Sequence, residues 1–123
     1  MSATFEDLEV WKKSCRLTVQ LYTLLKDCKD YGLRDQMLRA AVSIASNIAE
    51  GSERNSSVDF RHFLAIAKGS AAELRTQVYI AVEIGVILKK DANLLIDELK
   101  SVSRMLQALA SSIKNRGEDA LDR

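Results

Sequence analysis

A chain of 123 residues, 47% of them hydrophobic, has the size of one domain with a substantial core. It has no proline and only five glycines, which leaves little to interrupt long helices and excludes a Pro/Gly-rich disordered chain. The formal net charge of +1 gives no bulk attraction to nucleic acid, so any such surface has to be a local patch.

The opening, Met1–Glu9, is acidic and lacks the apolar core of a signal peptide. The first helix is expected from Asp7 to Cys28. Leu8, Trp11, Cys15, Tyr22 and Leu25 recur at helical spacing beside Val10, Leu17, Leu21 and Leu24, giving one broad apolar face. Cys15 and Cys28 lie in this one helix about 20 Å apart, too far to pair, so they read as core or boundary thiols.

Lys29–Gly32 reads as a connector, and a second helix is expected from Leu33 to Glu50. Its line is Leu38, Ala41, Ala45 and Ile48, with small residues Ala40, Ser43 and Asn47 suited to close approach. Gly51 reads as its stop, since glycine accepts positive φ. After the polar connector 51–56, Ser56 is placed to cap a third helix, with Asp59 in the capping-box position.

That helix is expected from Ser57 to Leu88, about 48 Å long. Phe60, Leu64, Ala67, Ala71, Leu74, Val78, Ala81, Gly85 and Leu88 alternate by four and three along it. Its end, Val78–Leu88, is apolar almost all round but contains Glu83 and falls short of the ~18 residues of a membrane span. Three partner helices leave such a segment partly uncovered, so a neighbouring subunit is expected there. Glu83 either faces water or finds a cation.

Asp91 reads as the cap of a fourth helix, Ala92–Asn115, with its stripe on Leu95, Leu99, Val102, Leu106, Leu109 and Ile113. Gly117 opens a polar tail, 117–123, expected to be flexible. Short links between four such segments give an all-α, antiparallel up-down-up-down four-helix bundle over residues 1–116.

No catalytic, cofactor or metal site is expected. The chain has one histidine, His62, and no Glu-x-x-His pair, against the two such pairs of a di-iron bundle. Cys15, Cys28 and His62 lack zinc-ligand spacing. There is no Gly-rich phosphate loop, and the helical serines have no recognisable base. Glu50, Glu73 and Glu83 read as solvated or ion-paired carboxylates. Gly69 and Gly85, isolated in a helical pattern, read as points of close packing; Gly69-Ser70 with Ala65 and Ala72 forms a small-residue patch that suits packing or a ligand contact.

Arg61, Lys68 and Arg75 recur every seven residues and share one broad face of the third helix, and Arg54 just upstream extends them. Asp59 and Glu73 dilute the stripe. It reads either as a solvated polar face or as a phosphate-backbone contact, which an oligomer would repeat in several copies.

Several ordered motifs then carry a likeness: Phe5-Glu6-Asp7-Leu8-Glu9-Val10-Trp11, Gly32-Leu33-Arg34-Asp35-Gln36-Met37, Arg39-Ala40-Ala41-Val42-Ser43-Ile44, Asn47-Ile48-Ala49-Glu50-Gly51, Phe60-Arg61-His62-Phe63-Leu64, and Ala67-Lys68-Gly69-Ser70-Ala71-Ala72-Glu73-Leu74. From Phe5 to about Ile113 the chain resembles the proteins encoded by intervening sequences in bacterial 23S rRNA genes, the ribosomal S23-like family. The resemblance implies an antiparallel four-helix bundle assembled as a homopentamer, with no catalytic residues to transfer. A related accessory protein of diversity-generating retroelements works with a reverse transcriptase and is associated with nucleic acid. The chain departs from its relatives at Asp27-Cys28-Lys29-Asp30-Tyr31, where they often carry a Phe-Pro turn.

The resulting expectation is a cytoplasmic, non-enzymatic homo-oligomer without cofactor, metal or membrane partner. Arg54, Arg61, Lys68 and Arg75 are its candidate contacts to RNA or DNA. The alternative is a structural or protein-docking scaffold that binds no nucleic acid.

Overall fold

Two side chains start two of the helices. The Leu33 amide donates to Asp30 Oδ1 at 3.1 Å and the Asp59 amide donates to Ser56 Oγ at 3.2 Å, each filling an acceptor-less N–H of a first turn. The computed structural model describes residues 4–121, with side chains through residue 113. Four helices account for nearly all of it: α1 (Glu9–Leu24), α2 (Tyr31–Ser52), α3 (Ser57–Glu83) and α4 (Lys89–Leu121). A single 3-10 turn, Phe5–Asp7, precedes them, and the described residues contain no strand.

The expected architecture is present, an antiparallel four-helix bundle with α2 against α3, α3 against α4, and α1 against α2. Ser43 meets Ser70, and Gly51 meets Phe63, so numbering falls along α3 as it rises along α2. The α1/α4 seam that closes the ring is the loosest of the four.

Each helix supplies the core from one stripe. Leu17 and Leu21 of α1, Met37, Ile44 and Ile48 of α2, Leu64, Leu74 and Val78 of α3, and Leu99, Leu106 and Ile113 of α4 are all fully buried. Burying one such side chain contributes about 1.5–3 kcal/mol. Of the first helix's expected broad face, Val10, Leu17 and Leu21 are buried, whereas Tyr22 and Leu24 are exposed.

Several boundaries differ from expectation, each for a local reason. Leu8 is extended, so Phe5–Asp7 forms a separate turn, and Phe5 folds back edge-on to Trp11 with ring centroids 5.2 Å apart. The first helix stops at Leu24, leaving Cys28 beyond it; both cysteines are free. The fourth begins at Lys89, which puts Asp91 in its first turn, where a carboxylate still meets the positive end of the helix dipole. It continues through Leu121, past the stop expected near Asn115. Residues 122 and 123 and the side chains of 114–121 lie outside the described part, whereas the backbone of 117–121, expected to belong to the tail, is part of α4.

The three glycines singled out act differently from their sequence reading. Gly51 lies inside α2 and does not stop it. A Cβ there would meet Phe63 Cβ at 2.7 Å and Phe60 Cδ1 at 3.0 Å, so it permits the close approach of α2 and α3. Gly85 is not packed against anything within 4 Å; its φ of +79° ends α3 five residues before Leu88. The Gly85 amide donates to Val82 O at 3.1 Å and the Val86 amide to Ala81 O at 2.8 Å, a Schellman termination. Gly69 faces open space as well, with nothing within 4 Å of its would-be Cβ.

The apolar run is consequently split. Val78, Ala81 and Ile87 are buried within the bundle, while Tyr79, Ile80, Ile84 and Leu88 are exposed and Glu83 faces water. No helix among the described residues is long and apolar enough to cross a membrane.

Alanine at the three glycines separates these roles in denaturant unfolding. Gly51→Ala is expected to cost about 1–3 kcal/mol by overpacking. Gly85→Ala is expected to cost roughly 1–2 kcal/mol through its left-handed backbone, and Gly69→Ala to gain about 0.5–1 kcal/mol.

Candidate nucleic-acid interface

The α3 helix is the wall shared by α2 and α4, and its basic residues stand on the α4 side. A spacing of seven drifts about 20° per step round a straight helix, so Arg61, Lys68 and Arg75 keep to one edge beside the Leu64 stripe. Arg61 and Lys68 border a groove of about 410 Å³ between α3 and α4. Buried Leu64 and Leu106 lie at its base, with the small residues Ala65, Gly69 and Ala72 along the α3 side and Gln107 and Ala110 across from them. No carboxylate lines it.

The small-residue patch expected around Gly69-Ser70 is thereby divided. Gly69 opens onto this groove, while Ser70 turns the other way and its hydroxyl meets that of Ser43 at 2.9 Å. Asn47 Nδ2 donates to Ser43 Oγ at 2.9 Å and to Ser43 O at 2.8 Å, completing a small polar node on the α2/α3 seam.

Lys68 Nζ donates to Gln107 Oε1 at 2.8 Å, a bond to a neutral group that leaves its charge uncompensated. Among the described residues, Arg61, Lys68 and Arg75 have no carboxylate within 4.0 Å, and neither Asp59 nor Glu73 pairs with them. Arg54 is placed differently. It lies in the α2/α3 connector, pairs with Glu50 at 2.8 Å and stacks over the Phe63 ring at 4.9 Å. Phe63 is about 200° round the helix from Arg61, so Arg54 does not extend the stripe; it sits across α3 from it.

The remaining chemistry-bearing residues do not converge. His62 is exposed and edge-on to Phe63, 5.8 Å between ring centroids. Burial pushes the Cys15 thiol above its ordinary range, with the Arg16 charge pulling more weakly the other way, the opposite of an activated nucleophile. Among the described residues no group of three His, Cys, Asp or Glu could hold a metal ion. The groove itself was beyond sequence reasoning. Gln107 is far from Lys68 along the chain, and nothing in its neighbourhood marks it as a partner.

The family model of the 23S rRNA-intervening sequence protein matches residues 6–108. The chain belongs to this family. The match takes in Arg54, Arg61, Lys68, Arg75 and Gln107, the cations and the groove together. Among solved structures, the intervening-sequence chain is similar to a protein of unknown function from the S23 ribosomal protein family of Bacteroides thetaiotaomicron VPI-5482. The TM-score is 0.77 at 24% identity, over 82% of this chain and 97% of the other, which shows the shared fold. No curated protein matches the chain.

Two measurements check this placement. Half-maximal alkylation of Cys15 is expected at a higher pH than for a free thiol, because burial raises its pKa and keeps the thiol protonated; a midpoint at or below that of a free thiol contradicts its burial. A double-mutant cycle on Glu50 and Arg54 is expected to give only about 0.3–0.5 kcal/mol, falling as salt rises.

Proposed function

We propose that this intervening-sequence family protein is a non-enzymatic, homo-oligomeric bundle that binds the phosphate backbone of RNA or DNA along α3. Arg61, Lys68 and Arg75 neutralise phosphates, with Arg54 a weaker contributor because Glu50 already holds it. Such contacts position a strand without reading bases. One observation carries the reading: three cations in register on one helix edge, two of them beside a carboxylate-free groove, have no ion-pair partner among the described residues. A stripe serving only to solubilise the surface is ordinarily mixed with acids on the same edge.

Oligomerisation belongs to the same reading. The exposed apolar side chains Tyr79, Ile80 and Ile84 on the outer side of α3 favour a protein neighbour. Assembly, a pentamer by the family resemblance, repeats the basic edge and raises the local field of a nearly neutral chain. The same exposed side chains favour the second reading, a protein-docking scaffold without nucleic-acid binding.

Fluorescence anisotropy with labelled RNA and DNA oligonucleotides at several salt concentrations tests the surface. The triple variant Arg61→Gln, Lys68→Gln, Arg75→Gln is expected to reduce the slope of log K against log[salt] by roughly 2–3, and Arg54→Gln by less than any of the three. Unchanged affinity and slope in a folded triple variant rejects the surface and leaves the scaffold. Sedimentation showing a monodisperse monomer at micromolar concentration rejects the assembly.

A further inference from the structure

The second long groove of the bundle lies on the other side of α4 and has the opposite character. Because α1 and α4 touch least of the neighbouring helices, their seam stays open as a channel of about 650 Å³. Lys13 Nζ bridges to Glu98 Oε2 at 2.8 Å, the one ion pair between these two helices among the described residues. The lining residues of α1 run from Val19 to Leu24, on the C-terminal side of that bridge.

The walls carry Val19, Leu24 and Leu94 together with the neutral polar Gln20 and Thr23, and the rim is acidic. Val19 is 66% exposed and Leu94 68%, facing a floor formed by buried Leu95, and Leu24 adds a further exposed leucine. Asp91, Asp97 and Glu98 edge the groove and no cation lines it. Glu98 is engaged by Lys13, but Asp91 and Asp97 have no cation within 4.0 Å among the described residues. Neither feature serves a solvated seam: large exposed leucines cost hydration, and unpaired like charges at its edge repel.

We propose that the α1/α4 groove is a docking site for a cationic amphipathic helix of a partner protein. An open trough between two antiparallel helices accepts a third along its length, with anchors at i, i+3, i+4 and i+7 entering between Val19 and Leu94. Lysines or arginines flanking those anchors meet Asp91 and Asp97, which selects a basic helix over an acidic one. The occupant completes the seam that α1 and α4 leave unfilled. This site is separate from the basic edge of α3 and stands or falls without it.

Two labelled helical peptides of about 14 residues with the same leucine pattern test the groove, one with lysine and one with glutamate at the flanking positions. Anisotropy on the full chain is expected to show micromolar binding of the lysine peptide and at least ~10-fold weaker binding of the glutamate peptide. Two double variants, Val19→Asn with Leu94→Asn and Asp91→Asn with Asp97→Asn, change side chains outside the core. Each is expected to weaken the lysine peptide about 10-fold or more while circular dichroism stays unchanged. Equal binding of both peptides, or undiminished binding to either folded variant, overturns the proposal. So does sedimentation showing that the chain self-associates and that the Val19→Asn, Leu94→Asn variant alone abolishes it, which would assign the groove to a second copy.

Discussion

The placement of α3 between α2 and α4 is the constraint on which the rest of the molecule depends. The buried stripe Leu64, Ala67, Ala71, Leu74, Val78 and Ala81 leaves one rotational setting for this helix. In that setting Ser70 and Phe63 fall on the α2 side, Arg61 and Lys68 border the α4 groove, and Tyr79, Ile80 and Ile84 point outward. Exposed functional chemistry is therefore an outcome of core packing. The cations lie at the edge because the apolar residue one step before each of them, Phe60, Ala67 and Leu74, is turned to the core. The α2/α3 contact enforces the setting through Gly51, where any side chain would strike Phe63, and through the Ser43–Ser70 hydrogen bond, which specifies axial register.

α4 separates two grooves of different chemistry. Toward α3 the groove has small residues along its side and Arg61 and Lys68 at its edge; toward α1 it is lined by leucine and valine with Gln20 and Thr23 and edged by aspartate and glutamate. Charge segregation of this kind is invisible in a net charge of +1, because the two signs cancel in the sum while remaining on different seams. A chain without bulk basicity can in this way present a locally basic edge. A bundle of this size also gives functional groups little room to gather in its interior, where the described side chains are almost all aliphatic; the polar exceptions are Ser14, which donates to Val10 O at 2.7 Å, and Gln77.

The sequence carried the fold because that fold is periodic. Leu64, Ala67, Ala71 and Leu74 on α3, and Leu95, Leu99, Val102 and Leu106 on α4, return at intervals that only a helix brings to one side, and all of them are buried in the core. Ser56 was legible as a cap because its chemistry is local, and so was the heptad spacing of Arg61, Lys68 and Arg75. What was not legible is what depends on distant neighbours. Gly51, Gly69 and Gly85 look alike in a string, yet one permits a close approach, one opens a groove and one takes a left-handed turn. Arg54 appeared to extend the basic stripe because it lies just upstream of it, but the connector between α2 and α3 breaks the helical phase and leaves it beside Glu50 and Phe63. The Lys68–Gln107 bond and the trough between α1 and α4 join segments that no local pattern relates.

The rotational setting of α3 is tested most directly by truncating two adjacent residues, Leu74 and Arg75, and comparing their unfolding free energies. Leu74 is fully buried and Arg75 lies at the edge of the same turn. Leu74→Ala is expected to cost about 2–5 kcal/mol, and Arg75→Ala no more than about 1 kcal/mol. Equal losses at the two positions, or a larger loss at Arg75, would show that α3 presents a different face to the core and would remove the basis for the basic edge.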